Sequence, residues 1–205
     1  MHPEVLDEKR RKILLVLNNF GSFYLAGGTA LAFQIGHRIS VDFDLFSGNE
    51  IPQKLLEKVK TSFVGFSILP AVNNKEELTV LIDGVKVTFL YYPFAVIRDF
   101  VKYKDLNFLS APEIAITKAY TIGRRGSYKD YVDIYFSIFG KHILLEGIID
   151  GANKKYGAEF NDRLFLEQLI YLDDVEEEPI IFLKDRISKD DIRIYLENLV
   201  GGINI

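Results

Sequence analysis

Cysteine is absent from all 205 residues, which excludes a disulfide framework, thiol catalysis and thiolate metal sites. No apolar run approaches the roughly 20 residues that a membrane span needs. The longest early stretch, Ile13–Leu17 (ILLVL), is too short for a signal h-region, and no cleavage site follows it. Neither sign of charge dominates: 25 basic and 29 acidic side chains leave a net charge of −4, so the chain is no basic nucleic-acid coat. These absences predict a soluble, cytoplasmic protein in a reducing compartment, with no membrane partner.

What is present is an ordinary globular composition, 48% hydrophobic and 26% charged. A chain of this size buries a core without metal or disulfide staples. Charge is uneven: residues 1–140 carry 17 basic and 15 acidic side chains, residues 141–205 carry 8 and 14. No internal repeat or low-complexity tract occurs.

Apolar spacing predicts an amphipathic helix over residues 3–20, broken at Gly21-Ser22, then a short buried strand at Phe23–Ala26. Gly27-Gly28-Thr29 turns into a compact helix, Ala30–Ile35, with Gly36 as its stop signal. Ser40–Phe46 alternates as a strand with Val41, Phe43 and Leu45 on the buried side. A helix over 52–62 precedes three β-prone runs, 63–69, 78–82 and 85–92. The last two are joined at Asp83-Gly84, a strong hairpin signal. After Pro93 the pattern becomes helical. Ser110-Ala111-Pro112-Glu113 reads as a capping box opening a helix to about Ile122, and Ser127-Tyr128-Lys129-Asp130 opens another that stops near Gly140. Helical stretches then alternate with an acidic loop, Asp173–Glu178. The whole is α+β, a mixed sheet over residues 1–93 followed by a mainly helical part over 94–205.

The feature richest in chemistry is Gly27-Gly28-Thr29 followed by Asp42-Phe43-Asp44. Residues i and i+2 of a strand share a face about 6.5–7 Å apart. Two carboxylates so placed can share Mg²⁺, which accepts one or two carboxylates completed by waters and substrate phosphates. The glycines let a backbone approach a phosphate, the next helix offers its N-terminal N–H groups, and Thr29 adds a hydroxyl. Taken alone, a Gly-Gly turn is weak, and two aspartates on a strand can be a solvated edge. Asp is depleted in strands, however, so the pair between apolar neighbours calls for a reason.

The stretch from Leu25-Ala26-Gly27-Gly28-Thr29-Ala30-Leu31 through Gly36-His37-Arg38-Ile39-Ser40-Val41-Asp42-Phe43-Asp44-Leu45-Phe46 closely resembles the first motif of the AbiEii-type nucleotidyltransferase toxins. That family lies within the DNA polymerase β-like nucleotidyltransferase superfamily. A second resemblance runs through Lys118, Arg124-Arg125-Gly126 and Lys129-Asp130-Tyr131-Val132-Asp133. Read without the family, Lys118 is equally a solvated helix residue, Arg124 and Arg125 a helix C-terminus, and Asp130 a cap.

The resemblance implies a nucleotidyltransferase-like mixed sheet with flanking helices and a helical half closing the active-site cleft. It implies transfer of a nucleoside monophosphate from an NTP to an acceptor hydroxyl, RNA and in particular tRNA, with a cognate antitoxin as partner. Asp42 and Asp44 would hold Mg²⁺, with a second metal possible and Mn²⁺ able to substitute. Gly27, Gly28 and Thr29 would cradle phosphates, and Arg38, Arg124 and Arg125 would contact the nucleotide. Lys118 would bind the triphosphate, Asp133 would position the reacting groups, and Asp130 would orient the basic group or a base. The superfamily's third carboxylate is missing: Val85-Lys86-Val87-Thr88-Phe89 places Thr88 there. That departure keeps open a silent nucleotide- or RNA-binding module, and the same two carboxylates leave a metal-dependent phosphohydrolase as a further alternative. His37 reads as support for its turn, Asp83 as a turn residue, and Tyr91 or Tyr92 as a surface that could stack on a base.

Overall fold

The structure is a computed structural model that describes residues 1–203. The chain divides into two compact units, Met1–Ala95 with Asp99–Ser110, and Val96–Arg98 with Ala111–Ile205. The first holds every strand found among the described residues, the second only helices and irregular chain.

In the first unit the order is α1 (Glu8–Leu17), β1 (Tyr24–Ala26), α2 (Gly27–Ile35), β2 (Phe43–Ser47), α3 (Leu55–Ser62), β3 (Ile68–Asn73), β4 (Glu77–Ile82), β5 (Val85–Tyr91), β6 (Val101–Tyr103) and β7 (Leu106–Phe108). They form one seven-stranded mixed sheet in the order β3-β4-β5-β2-β1-β7-β6. The central strand β2 runs antiparallel to β1 and parallel to β5, with Ala26 opposite Asp44 and Asp44 opposite Thr88. Phe43, Leu45 and Ser47 are buried on one face of β2, while Asp44 and Phe46 alternate onto the other, half-buried. Burying Phe43 and Leu45 contributes about 1.5–3 kcal/mol each, which sets the register and so the face that Asp44 occupies. Beneath the sheet Phe20 packs on Phe89 with ring centroids 5.2 Å apart and on Phe63 at 6.3 Å, tying the ends of α1 and α3 to β5.

Several expected boundaries move, each for a local reason. The N-terminal helix is not continuous. A 3₁₀ turn covers Pro3–Val5, and Asp7 then caps α1 by accepting the Arg10 backbone N–H at 2.8 Å. Residues 63–66 are a turn, opened by Gly65 at φ +87°, so β3 starts at Ile68. The Asp83-Gly84 hairpin forms as expected, with φ of +47° and +81° at its two central residues. The Asp83 carboxylate accepts the Ser67 N–H at 2.7 Å, the work of a turn residue. The short hairpin β6–β7, turning at Lys104 (φ +54°), lies within 94–109 and joins the sheet beside β1.

The second unit contains α4 (Ala111–Arg125), α5 (Tyr128–Phe139), α6 (Leu145–Tyr156), α7 (Asp162–Ile170) and α8 (Lys189–Gly201). At the start of α5 the Asp130 carboxylate accepts from the Ser127 N–H at 3.1 Å and its hydroxyl at 3.0 Å. The capping box expected at Ser110 does not form. Ser110 Oγ is buried without a hydrogen-bond partner among the described residues, and Glu113 turns inward to meet Lys155 of α6. The acidic loop at 173–178 is irregular, as expected. Lys129 pairs with Glu178 at 2.5 Å, and Lys189 donates to the carbonyls of Asp173 and Val175 at 3.4 and 2.7 Å.

Candidate active site

The sheet unit carries the first group of residues. Gly27 opens α2 directly from β1 with φ +68°, a conformation that costs an L-residue about 1–2 kcal/mol. Ala26, the residue before the helix, has no polar side chain to cap it, so no side-chain cap stands at the first turn. A Cβ built on Gly27 would lie 2.5 Å from Asp44 Oδ2. The Asp44 carboxylate therefore packs directly on the Gly27 backbone, and glycine is required there by space as well as by φ.

Thr29 is 2% exposed, and its hydroxyl lies 2.8 Å from Ser40 Oγ and donates to the Asp42 backbone carbonyl. It thereby pins the residues before β2 to the first turn of α2. The ladder of β2 begins only at Phe43, and Val41, expected on the buried side, is 45% exposed. Asp42 is half-buried at the mouth of the strand. Gly36 ends α2 in the left-handed region at φ +64°, as its position predicts. The turn that follows folds inward: His37 and Arg38 are buried, and Arg38 Nη1 donates to the Ile39 carbonyl at 3.1 Å. Thr88, beside Asp44 on the neighbouring strand, shares a hydrogen bond of 3.1 Å with Thr79 of β4. Among the described residues no cluster of three or more metal-ligating side chains occurs. Two carboxylates and a bare glycine backbone are a donor set that suits Mg²⁺ completed by phosphate and water, and not a closed structural metal cage.

Gly27→Ala tests this close packing. It should cost about 1–2 kcal/mol in stability, read by urea unfolding, and lower any metal-dependent nucleotide chemistry at least tenfold by displacing Asp44. Retention of full activity by that variant would show that the Asp44 position is not critical.

The helical unit carries the second group. Lys118 of α4 lies 2.6 Å from Asp130 Oδ1 and 2.8 Å from Asp133 Oδ2, both on α5. Asp133 is wholly buried, and the Lys118 and Asp130 side chains are only 12% and 10% exposed. Burial pushes the Asp130 carboxyl up. The Lys118 ammonium and the Ser127 N–H outweigh burial and hold it below the usual carboxylate range. Spacing of three residues on α5 puts both carboxylates on one helical face, and that face meets Lys118. Sequence alone left Lys118 open to a solvated reading, which its burial removes.

Arg124 is held within its own unit: its guanidinium carbon sits 3.5 Å from the Tyr120 ring centroid, and Nη2 donates to the Glu159 carbonyl at 3.2 Å. Tyr120 in turn stacks on Tyr156 at 4.0 Å. The side chain of Arg125 lies outside the described residues. Sequence reasoning missed Ser40 as partner of Thr29 and the Tyr120–Tyr156 column that carries Arg124. The first was visible only as a serine inside the motif.

Residues 14–77 match the AbiEii family, described as nucleotidyl transferase AbiEii toxins of type IV toxin–antitoxin systems. An uncharacterized Aquifex aeolicus protein, aq_aa25, is 31% identical over 94% of this chain and 98% of its own length. The chain belongs to the AbiEii nucleotidyl transferase family. Two solved structures share the fold across nearly all of it. A candidate nucleotidyltransferase from H. pylori superposes with a TM-score of 0.63 at 18% identity, covering 96% of this chain and 95% of its own. MenT4, a nucleotidyltransferase toxin of Mycobacterium tuberculosis, superposes at 0.63 and 14% identity, covering 90% and 77%. The mixed sheet with flanking helices and a helical second part is thus the family's nucleotidyltransferase fold, as the sequence resemblance implied. Within the AbiEii match fall Gly27, Gly28, Thr29, Arg38, Asp42 and Asp44. Lys118, Arg124, Arg125, Asp130 and Asp133 lie beyond it. No helix among the described residues is long and apolar enough to cross a membrane.

Proposed function

We propose that this AbiEii nucleotidyl transferase moves a nucleoside monophosphate from an NTP to a hydroxyl of an RNA acceptor, tRNA foremost, as the growth-inhibiting toxin of a toxin–antitoxin pair. One observation carries the reading: Asp44 on β2 packs against the positive-φ Gly27 that opens α2, with Asp42 tethered two residues before it. Asp42 and Asp44 would hold Mg²⁺, which, when bound, neutralises phosphate charge and polarises the reacting oxygens.

In the transfer the acceptor oxygen bonds to the α-phosphorus, the bond from that phosphorus to the bridging oxygen breaks, and pyrophosphate leaves. The acceptor proton departs to a base or to solvent. The backbone at Gly27 and Gly28 would receive phosphate oxygens at the start of α2. The buried Thr29 hydroxyl, by contrast, serves the placement of Asp42. Lys118, held in a fixed direction by Asp130 and Asp133, would bind triphosphate oxygens. Arg124, stacked on Tyr120, would offer its guanidinium to a phosphate. RNA as acceptor, the antitoxin and the cytoplasmic setting rest on the family.

Thr88 supports a second reading, a module that binds nucleotide or RNA without transfer, because the residue beside Asp44 carries no charge. One experiment separates the two. The protein is incubated with each α-labelled NTP, Mg²⁺ and total RNA, and the products are run on a denaturing gel. Label is expected on an RNA band with pyrophosphate released. Nucleotide binding with no labelled RNA or protein would favour the module, and nucleotide consumed without pyrophosphate or labelled acceptor would point to phosphohydrolysis.

A further inference from the structure

The helical unit contains a second feature that none of these roles uses. Phe139, at the C-terminal end of α5, is 58% exposed, yet its ring is firmly held. It lies parallel to Tyr135 one turn back, with centroids 5.3 Å apart and 13° between planes, and Tyr195 of α8 meets both rings edge-on at 4.9 and 5.9 Å. An exposed ring fixed by two others is a costly surface for water and a ready one for a flat partner.

The ring lines a cavity of about 400 Å³ with Tyr135, Phe136, Lys184 and Arg186. Lys184 and Arg186 sit on an irregular segment, are exposed, and make no ion pair or hydrogen bond among the described residues. Both also line a larger hollow of about 1130 Å³. The smaller cavity also holds two carboxylates, Asp185 and Asp191, the second accepting the Ser188 hydroxyl in the cap of α8.

We propose that Phe139, with Lys184 and Arg186, docks a single-stranded stretch of RNA, one base stacked on the ring and its flanking phosphates on the two cations. An aromatic platform flanked by free cations is the chemistry that grips unpaired nucleotides without reading sequence. A free triphosphate fits less well. The site offers two separate cations, its glycine, Gly140, spends its N–H on the Phe136 carbonyl at the end of α5, and the nearby N-terminus of α8 is already closed by its capping box. A protein partner drawn to the exposed Ile181 and Leu183, next to Lys184 in the sequence, is the competing occupant, and self-association is scored for it below. The inference deepens the proposed function by giving the RNA acceptor a binding surface, and it rests on that reading for the identity of the RNA.

The test is fluorescence anisotropy with a fluorescein-labelled 12-nucleotide single-stranded RNA. Phe139→Ala should weaken binding on the order of tenfold or more. The double variant Lys184→Ala with Arg186→Ala should weaken it and flatten the dependence on log salt by about one to two. Leu144→Ala, removing another exposed apolar side chain, should change little. A thermal melt of each variant accompanies the titration, because the Phe139 ring packs on the buried Tyr135.

No RNA binding by the unmodified protein, or binding within twofold in both site variants, overturns the inference. So does equal competition by free ATP in a Phe139-dependent manner, which would make this a mononucleotide site. Loss of self-association in Phe139→Ala with RNA binding unchanged would assign the ring to a protein contact instead. NTP transfer by the unmodified protein is scored separately. Phe139-dependent RNA binding without transfer would keep the docking surface and remove the transferase reading, and transfer without that dependence would do the reverse.

Discussion

Asp44→Asn is expected to lower NTP transfer by about 10³-fold or more, with thermal stability close to that of the unmodified protein. A bound divalent ion supplies several kcal/mol of charge stabilisation at a reacting phosphate, and about 4 kcal/mol corresponds to that factor. Asparagine keeps the shape of the side chain against Gly27 and one carbonyl acceptor. It removes the negative charge that would hold the cation. Because Phe43 and Leu45 anchor β2 from the buried face, the strand should not move. Asp42→Asn should act in the same direction, and its deficit should shrink as Mg²⁺ is raised. Isothermal titration of the NTP with and without Mg²⁺ gives a readout besides turnover: metal-dependent binding should be lost in Asp44→Asn. Transfer within threefold of the unmodified protein would remove Asp44 from the metal site and with it the mechanism proposed above.

The residues behind that expectation were legible because their geometry is local. Gly27-Gly28-Thr29 reads as a turn but is the first turn of α2, whereas a glycine stop at φ +64°, an Asp-Gly hairpin and an alternating strand each declare themselves within a few positions. The start of β2 did not. Alternation ran back to Ser40, but the Thr29 hydroxyl holds Ser40 and the Asp42 carbonyl out of the ladder, and a side-chain bond across eleven or thirteen positions leaves no periodic trace. The hairpin β6–β7 was hidden for another reason. Its strands are three residues long and carry Lys102, Lys104 and Asp105 between them, so its only apolar signal is a handful of positions that β1 and Phe33 happen to cover. Lys118 shows the same limit from the other side. Its helix was evident, but only the packing of α4 on α5 reveals that it lies between two carboxylates.

Ser110-Ala111-Pro112-Glu113 fits the pattern of a capping box, and the helix does start there, at Ala111. Tertiary contact nevertheless takes the glutamate away. Glu113 and Lys155 are both wholly buried side chains, paired across α4 and α6, and Glu113 Oε1 also accepts the Ile97 N–H at 3.3 Å. Glu113 Oε2 has no hydrogen-bond partner among the described residues. Removing one member of such a pair strands a charge in a medium that cannot solvate it. Lys155→Met should therefore destabilise the helical unit by about 3–5 kcal/mol.

The double variant Glu113→Gln with Lys155→Met should recover most of that loss. Glutamine keeps an acceptor for the Ile97 amide, and methionine fills the volume of the lysine stem between α4 and α6, where Gly151 already lets Ile116 approach closely. Desolvating two charges offsets most of their attraction, so the intact pair should be worth little more than its neutral replacement. Urea unfolding followed by far-ultraviolet circular dichroism reads both variants, and the double-mutant cycle isolates their coupling. A loss below about 1 kcal/mol in Lys155→Met would mean that water or a rearranged neighbour reaches Glu113. A double variant as unstable as the single one would mean that the pair stabilises the helical unit outright. The expected pattern, a large single loss and a small double one, would identify the pair as a device that fixes how α4, α6 and the segment at Ile97 fit together, at little net gain in stability.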